Sequence, residues 1–419
     1  MGVKDIVFFY GDSASSLGGI QTVFASLSEE LQNRNYNIWI VDKFPEFFCK
    51  ISKISRNQCI KFDYTRQIVV PDNAVVICSL GHANLQGNVV GKNIRLLYWS
   101  LFDYFSFYLG LSKVLLKFGF LNFTKNYDKL HFWINIFNGK LQDRMKRFLQ
   151  LADIRKGLLF MTEEHILLNE QWYKMRLENR KVLPLCVRID GNVKTLRPLS
   201  NEINICWLGR FVEFKFFSIK YLLKKIEEYA ISNPSKRIKF ILIGNGAWRG
   251  RVERECRKYK SFDIQLTGWQ YPEKVKEIFI NEVDVLFAHG TAALDGAKVG
   301  LPTVIVSGSY DEIPSEKKIC WLYEAEGKGN VGSLNEKRNS VHSFSDIMSM
   351  LICDNITIGK KCYDHVERNF DVSKVASDLL IYANETRLTM EDYRSIGMHN
   401  HLWMEKWASF FREHLKLKI

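Results

Sequence analysis

The chain has 419 residues, 47% of them hydrophobic and 25% charged, a balance that excludes a disordered, collagen-like or disulfide-scaffold protein and leaves room for two substantial cores. Lys and Arg number 59 against 46 Asp and Glu, a formal charge of +13, so the surface should attract polyanions: phosphates, nucleic acid or an acidic membrane. The nine cysteines are scattered with no C-x-x-C pair and are expected to be reduced packing residues of a cytosolic protein.

In chain order, the start MGVKDIVFFYG reads as a strand (Ile6 to Tyr10) bending into a Gly-rich loop, and it lacks the apolar core and cleavage site of a signal peptide. Ile20, Val23, Phe24, Leu27 and Leu31 fall at helical spacing and precede a second strand, Ile38 to Val41. That is one βαβ unit. Strand runs at Ala74 to Cys78 and Ile94 to Tyr98 extend it to an open parallel sheet. Residues 101–150 break the rhythm: thirteen of fifty are aromatic, and 91–160 hold twelve Lys or Arg against four Asp and no Glu. Such helices either present an apolar and cationic face to an anionic membrane or form a tightly packed insertion. No uncharged apolar run reaches the roughly 18 to 20 residues that span a bilayer.

Around 185–201 the sequence turns polar, with Asp190-Gly191 as a turn signal, which predicts a first domain over 1–190 and a second over 191–390. Strands at 203–208, 238–243, 264–267, 283–287 and 303–306 alternate there with helices near 218–230, 249–259, 272–280 and 291–299. Two doubly wound sheets facing each other across a cleft follow, with 391–419 as a helical tail packing back on the first domain.

The chemistry is expected at strand ends. Strand 283–287 runs through Phe287 and Ala288 to His289-Gly290, and a helix opens at Thr291. The N–H groups of Thr291, Ala292 and Ala293 would then make an anion site. Asp295 sits mid-helix among small residues, where an acceptor-only carboxylate suits vicinal hydroxyls such as those of a ribose. The alternative is an ion pair with Lys298 on a solvated face. Gly209, Arg210 and Lys215 directly follow strand 203–208, and an Arg fork with a Lys point charge suits a diphosphate. Gly244 and Gly246 mark a tight strand-to-helix turn whose spacing does not fit a dinucleotide fingerprint. Gly18-Gly19-Ile20-Gln21 opens the first helix, where a ligand can approach closely or a turn simply forms. His82 and Asp103 follow strands of the first sheet at positions open to catalytic groups. No histidine spacing supports a metal, and no nucleic-acid reading motif is present.

Together these residues resemble the GT-B glycosyltransferases, and within them family 4, the retaining nucleotide-sugar transferases of bacterial surface-polysaccharide assembly. The match is strongest over about 203–310. The family's Gly-Arg followed by a Lys looks like Gly209, Arg210 and Lys215, its Gly-rich turn like Gly244 and Gly246, and its loop near the base like Leu266-Thr267-Gly268-Trp269. Gly18 and Gly19 are similar to its N-terminal Gly-Gly loop. Of its acidic pair, eight positions apart, Asp295 matches the second member, while Phe287 stands where the first belongs.

The resemblance implies an α/β GT-B fold with two Rossmann-like domains. It implies sugar transfer from a nucleoside diphosphate sugar to a glycan or lipid-linked acceptor in lipopolysaccharide, O-antigen or capsule synthesis, retaining and without a metal or cofactor. Donor-binding residues would be Gly18, Gly19, Gly209, Arg210, Lys215, Gly244, Gly246, Gly268, Trp269, Gly290, Thr291, Ala292 and Asp295, with His82, Asp103 and His289 as catalytic candidates. The implied location is cytoplasmic, on the inner face of the membrane through 101–150. The alternatives are an epimerase-type GT-B enzyme acting on nucleotide sugars and a non-catalytic binding or scaffold protein.

Overall fold

The computed structural model describes residues 3–11, 19–46, 54–63, 65–83, 86–101, 127–332 and 341–401, excepting the side chains of 127–138, 141, 400 and 401. Gly18, Asp103 and most of the aromatic, basic region therefore lie outside the described residues. The chain divides into two compact units, Met1–Leu185 with Val372–Ile419, and Cys186–Asp371. The first boundary falls close to the predicted one. The return begins at Val372, well before the expected tail at 391.

In the first unit, β1 (Asp5–Gly11), β2 (Asn37–Asp42), β3 (Cys59–Lys61), β5 (Val75–Ser79), β7 (Arg95–Ser100) and β8 (Leu158–Phe160) form a parallel sheet of order β3-β2-β1-β5-β7-β8. A minor pair, β4 (Ile68–Val69) and β6 (Val89–Val90), stands apart. Ile6, Val7, Phe8 and Phe9 are all inaccessible. A parallel strand covered on both faces needs such a run rather than an alternation, and each side chain contributes roughly 1.5–3 kcal/mol on burial. Helix α1 (Gly19–Asn33) buries Val23, Phe24, Leu27 and Leu31, the stripe its spacing predicts.

Helix α2 (Tyr127–Ile154) ends in a buried stripe of Met145, Phe148, Leu149 and Ala152, with Phe148 edge-on to Tyr98 and Tyr393. Here the core reading of the aromatic region holds. Two of its cations are also occupied, Arg144 with the Gly397 carbonyl and Lys146 with that of Lys174. Cys59 is disulfide-bonded, which corrects the expectation that every cysteine is reduced. The other seven described cysteines are free, six of them buried in the packing role expected.

After α3 (Glu163–Tyr173) the chain leaves for the second unit. It returns in α9 (Val372–Glu385) and α10 (Met390–Ile396), following α8 (Phe344–Phe370) of the second unit. The returning segment is bonded into the first sheet: Leu96 N–H donates to Leu388 O at 2.7 Å, and Thr386 Oγ1 donates to Leu96 O at 2.7 Å.

In the second unit, β9 (Glu202–Leu208), β10 (Arg237–Ile243), β11 (Asp263–Gly268), β12 (Val285–Ala288), β13 (Thr303–Ile305) and β14 (Cys320–Trp321) lie in the order β11-β10-β9-β12-β13-β14. All neighbours are parallel except the edge pair β13–β14. Helices α4 (Glu213–Ser232), α5 (Arg249–Cys256), α6 (Pro272–Asn281) and α7 (Thr291–Ala297) make the crossovers. Strand order reverses between β9 and β12, so the loops leaving their carboxyl ends run to opposite faces and leave a crevice at that end of the sheet.

Candidate functional site

The loop after β9 and the turn after β10 are locked together through their backbones. Gly209 N–H donates to Ile243 O at 3.0 Å, Phe211 N–H to Asn245 O at 2.9 Å, and Trp248 N–H to Phe211 O at 2.9 Å. A Cβ on Gly244 would stand 1.9 Å from Gly209 O, and one on Gly246 would stand 2.5 Å from Phe211 O, with φ of +149° and +155°. The absence of side chains at these two glycines serves close backbone packing that fixes the Arg210 loop. At Gly268, φ is +73°, and a Cβ would lie 3.7 Å from Arg249 Nη1. Trp269 beyond it is 49% exposed and stands edge-on to the exposed Tyr271, with ring centroids 4.5 Å apart.

Lys215 lies within the first turn of α4, because that helix begins at Glu213, five residues before the predicted start. Its N–H bonds to Val212 O at 3.1 Å. The side chain folds back over the strand end, with Nζ 5.9 Å from the Trp207 ring centroid and 6.0 Å from that of Phe214. A Cβ on Gly209 would come 2.9 Å from this Nζ and 2.9 Å from Trp207 Cη2, so glycine is what lets the ammonium sit there. Burial, helped by the nearby Arg210 charge, pushes Lys215 down to about 8. No described carboxylate pairs with Lys215 or with the exposed Arg210. With no counter-ion among the described residues, Arg210 of the strand-end loop and Lys215 of the first turn of α4 can bind an anion without first breaking an ion pair.

His289 directly follows β12 in the same unit. Its Nδ1 lies 2.9 Å from Val306 O, and since a carbonyl only accepts, Nδ1 carries the proton and Nε2 holds a lone pair. Nε2 is buried with no partner among the described residues. Phe214 packs 6.0 Å from the imidazole, centroid to centroid. Burial, with Lys215 beside it, pushes His289 down to about 3, against the pull of the Val306 carbonyl. The folded protein therefore refuses a proton that the unfolded chain accepts below its ordinary 6.5. The stability this site gives is present above pH 6.5 and is lost as pH falls toward 3. His289→Phe should flatten that part of a urea-denaturation profile measured between pH 7 and 4.

Gly290 caps α7 at φ +65°, its N–H donating to Val331 O at 2.7 Å. Thr291 and Ala292 open the helix as predicted. Ala293 N–H, counted above among the free donors, is spent on Gly290 O at 3.1 Å. Asp295 does have a charged partner: Lys298 Nζ lies 2.7 Å from Oδ1, the two side chains 25% and 33% exposed for Lys and Asp. This is the ion pair that the sequence left as an alternative, and α7 exposes it although Ala293, Leu294, Gly296 and Ala297 around it are buried. Phe287 is inaccessible and stacks on Phe344 at 5.5 Å, so it points into the core rather than into the crevice.

In the first unit, Gly19 opens α1 and His82 ends a short 3-10 turn after β5, edge-on to Tyr10 at 5.3 Å. Sequence reasoning missed Trp207 and Phe214, the aromatic walls beside Lys215. The run Phe214-Lys215-Phe216-Phe217 was the available signal. The pairing of His289 with Val306, seventeen residues away, had none.

No family model and no curated protein matches this chain. Among solved structures it is similar to TarM of S. aureus, with a TM-score of 0.58 at 10% identity over 91% of this chain and 99% of that one. It is similar to the GtfA/B complex at 0.53 and 9%, covering 91% and 99%. It is also similar to the N-terminal domain of Candida albicans trehalose-6-phosphate phosphatase at 0.53 and 9%, covering 91% and 97%. The fold is thus that of the GT-B glycosyltransferases, with two Rossmann-like domains.

Proposed function

We propose that the chain transfers a sugar from a nucleoside diphosphate sugar to a glycan or lipid-linked acceptor. The observation that carries this reading is the pair of Arg210 and Lys215 beyond the end of β9, without a carboxylate partner among the described residues, in a chain of GT-B fold. As the glycosidic bond opens, negative charge grows on the diphosphate, and two preplaced cations stabilise it without a metal. The helix start at Thr291 and Ala292 adds backbone donors, and Trp269 offers a flat face to a base. Asp295 would take ribose hydroxyls with the oxygen that Lys298 does not hold. Retention of configuration, family 4 membership and a role in bacterial surface-polysaccharide assembly at the inner membrane face, docked through 101–150, come from the sequence resemblance. Among the described residues no helix is long and apolar enough to cross a membrane.

Calorimetric titration with UDP, GDP and ADP tests the donor site. Arg210→Ala should weaken the nucleotide that binds by about tenfold, the value of one charge-assisted pair, and Asp295→Ala should weaken it as well. Unchanged affinity in both variants would remove the donor-site reading. Phe287 favours a second reading, a non-catalytic binding protein, because no carboxylate occupies that position. Nucleoside diphosphate release measured with and without acceptor separates the two, and release without any acceptor marks an epimerase-type enzyme.

A further inference from the structure

The structure assigns His289 as a positioning residue: we propose that its Nε2 lone pair accepts a hydrogen bond from the Lys215 ammonium and aims that ammonium at a bound diphosphate. The inference rests on the donor-site reading above and adds the group that acts on Lys215.

Two neighbouring side chains carry complementary needs. Lys215 is a donor-only group with no described carboxylate partner. His289 Nε2 is an acceptor-only atom, because Val306 O already takes the proton on Nδ1 at 2.9 Å, and it is buried without a partner among the described residues. An unmet buried acceptor is a rare and destabilising feature. Phe214 flanks both, its centroid 6.0 Å from Lys215 Nζ and 6.0 Å from the His289 ring centroid. The ammonium lies over Trp207 and Gly209. Turning the last torsions of the lysine away from that ring is the movement that lets it serve a diphosphate.

The residue type follows from charge. A carboxylate at 289 would hold the ammonium in an ion pair and cancel the charge that the diphosphate needs. A leucine or phenylalanine would leave the ammonium unguided. An imidazole whose proton is fixed on the far nitrogen orients the cation and leaves its charge intact. Glycine at 332 keeps the ring in place: a Cβ there would lie 3.0 Å from His289 Cβ.

The test is a double-mutant cycle on the full chain, read by calorimetric titration with inorganic pyrophosphate, which carries no base or sugar. Lys215→Ala should weaken binding by well over tenfold, and His289→Phe by about tenfold, the scale of one hydrogen bond to a charged group. The double variant should bind no more weakly than Lys215→Ala alone, since His289 has nothing left to aim. His289→Gln, which keeps an acceptor, should recover most of the loss. Additive losses, or a glutamine variant as weak as the phenylalanine one, would overturn the proposal. So would unchanged binding in His289→Phe when Lys215→Ala is impaired, and that result leaves the donor site standing. Unchanged binding in Lys215→Ala removes both the donor site and this inference.

Discussion

Raising the pH from 7 to 9 is expected to weaken nucleotide binding by about tenfold, from the loss of one proton at Lys215. Burial and the Arg210 charge push the Lys215 ammonium down to about 8, and the charged form binds a diphosphate far more tightly than the neutral one. A bound diphosphate raises that value again, so binding takes up a proton, and affinity is full below 8 and falls by one decade per pH unit above it. Calorimetry in two buffers of different ionisation enthalpy measures the uptake directly. In Lys215→Arg the slope should vanish, because a guanidinium stays charged throughout. A wild-type profile flat to pH 9 would show that Lys215 keeps its proton throughout that range.

The second large effect is structural. Gly244→Ala should destabilise the fold by about 3 kcal/mol, at the upper end of overpacking penalties. The added methyl would meet the Gly209 carbonyl at 1.9 Å with φ at +149°. The obstacle is backbone in the middle of the loop that carries Arg210, and no rotamer change relieves it. Gly191→Ala provides the comparison, having a positive φ of +73° but nothing within 4 Å of the new atom, and should cost only about 1 kcal/mol. Urea midpoints of the two variants give the difference. Nucleotide binding should fall in the first variant and hold in the second, because only the first displaces the Arg210 loop.

The contrast between these glycines shows what was legible beforehand. The parallel strands announce themselves as continuous apolar runs, and Ile205, Cys206 and Trp207 are inaccessible as a doubly covered strand requires. The two-residue edge strand Cys320–Trp321 and the antiparallel turn of the sheet went unseen, since so short a run carries no period. The start of α4 was misplaced because Val212 offers no capping side chain. The sheet and its tight turns set that start instead, and the shift moves Lys215 from a loop into a helix. The cations of the site were readable as residue types in order. Their freedom from counter-ions, and the capture of Asp295 by Lys298, are facts of three-dimensional placement.

The interruption of the first unit by the second has a consequence for synthesis. Residues 1–185 leave the ribosome before the second unit, yet Leu96 waits for Leu388 and Thr386, and Phe148 waits for Tyr393. The unit that precedes the insertion is therefore completed after it, because the inserted unit is whole before the returning segment is made. A stop codon shortly after position 371 would spare every strand of both sheets, and the first of them would still lack the segment that seals it.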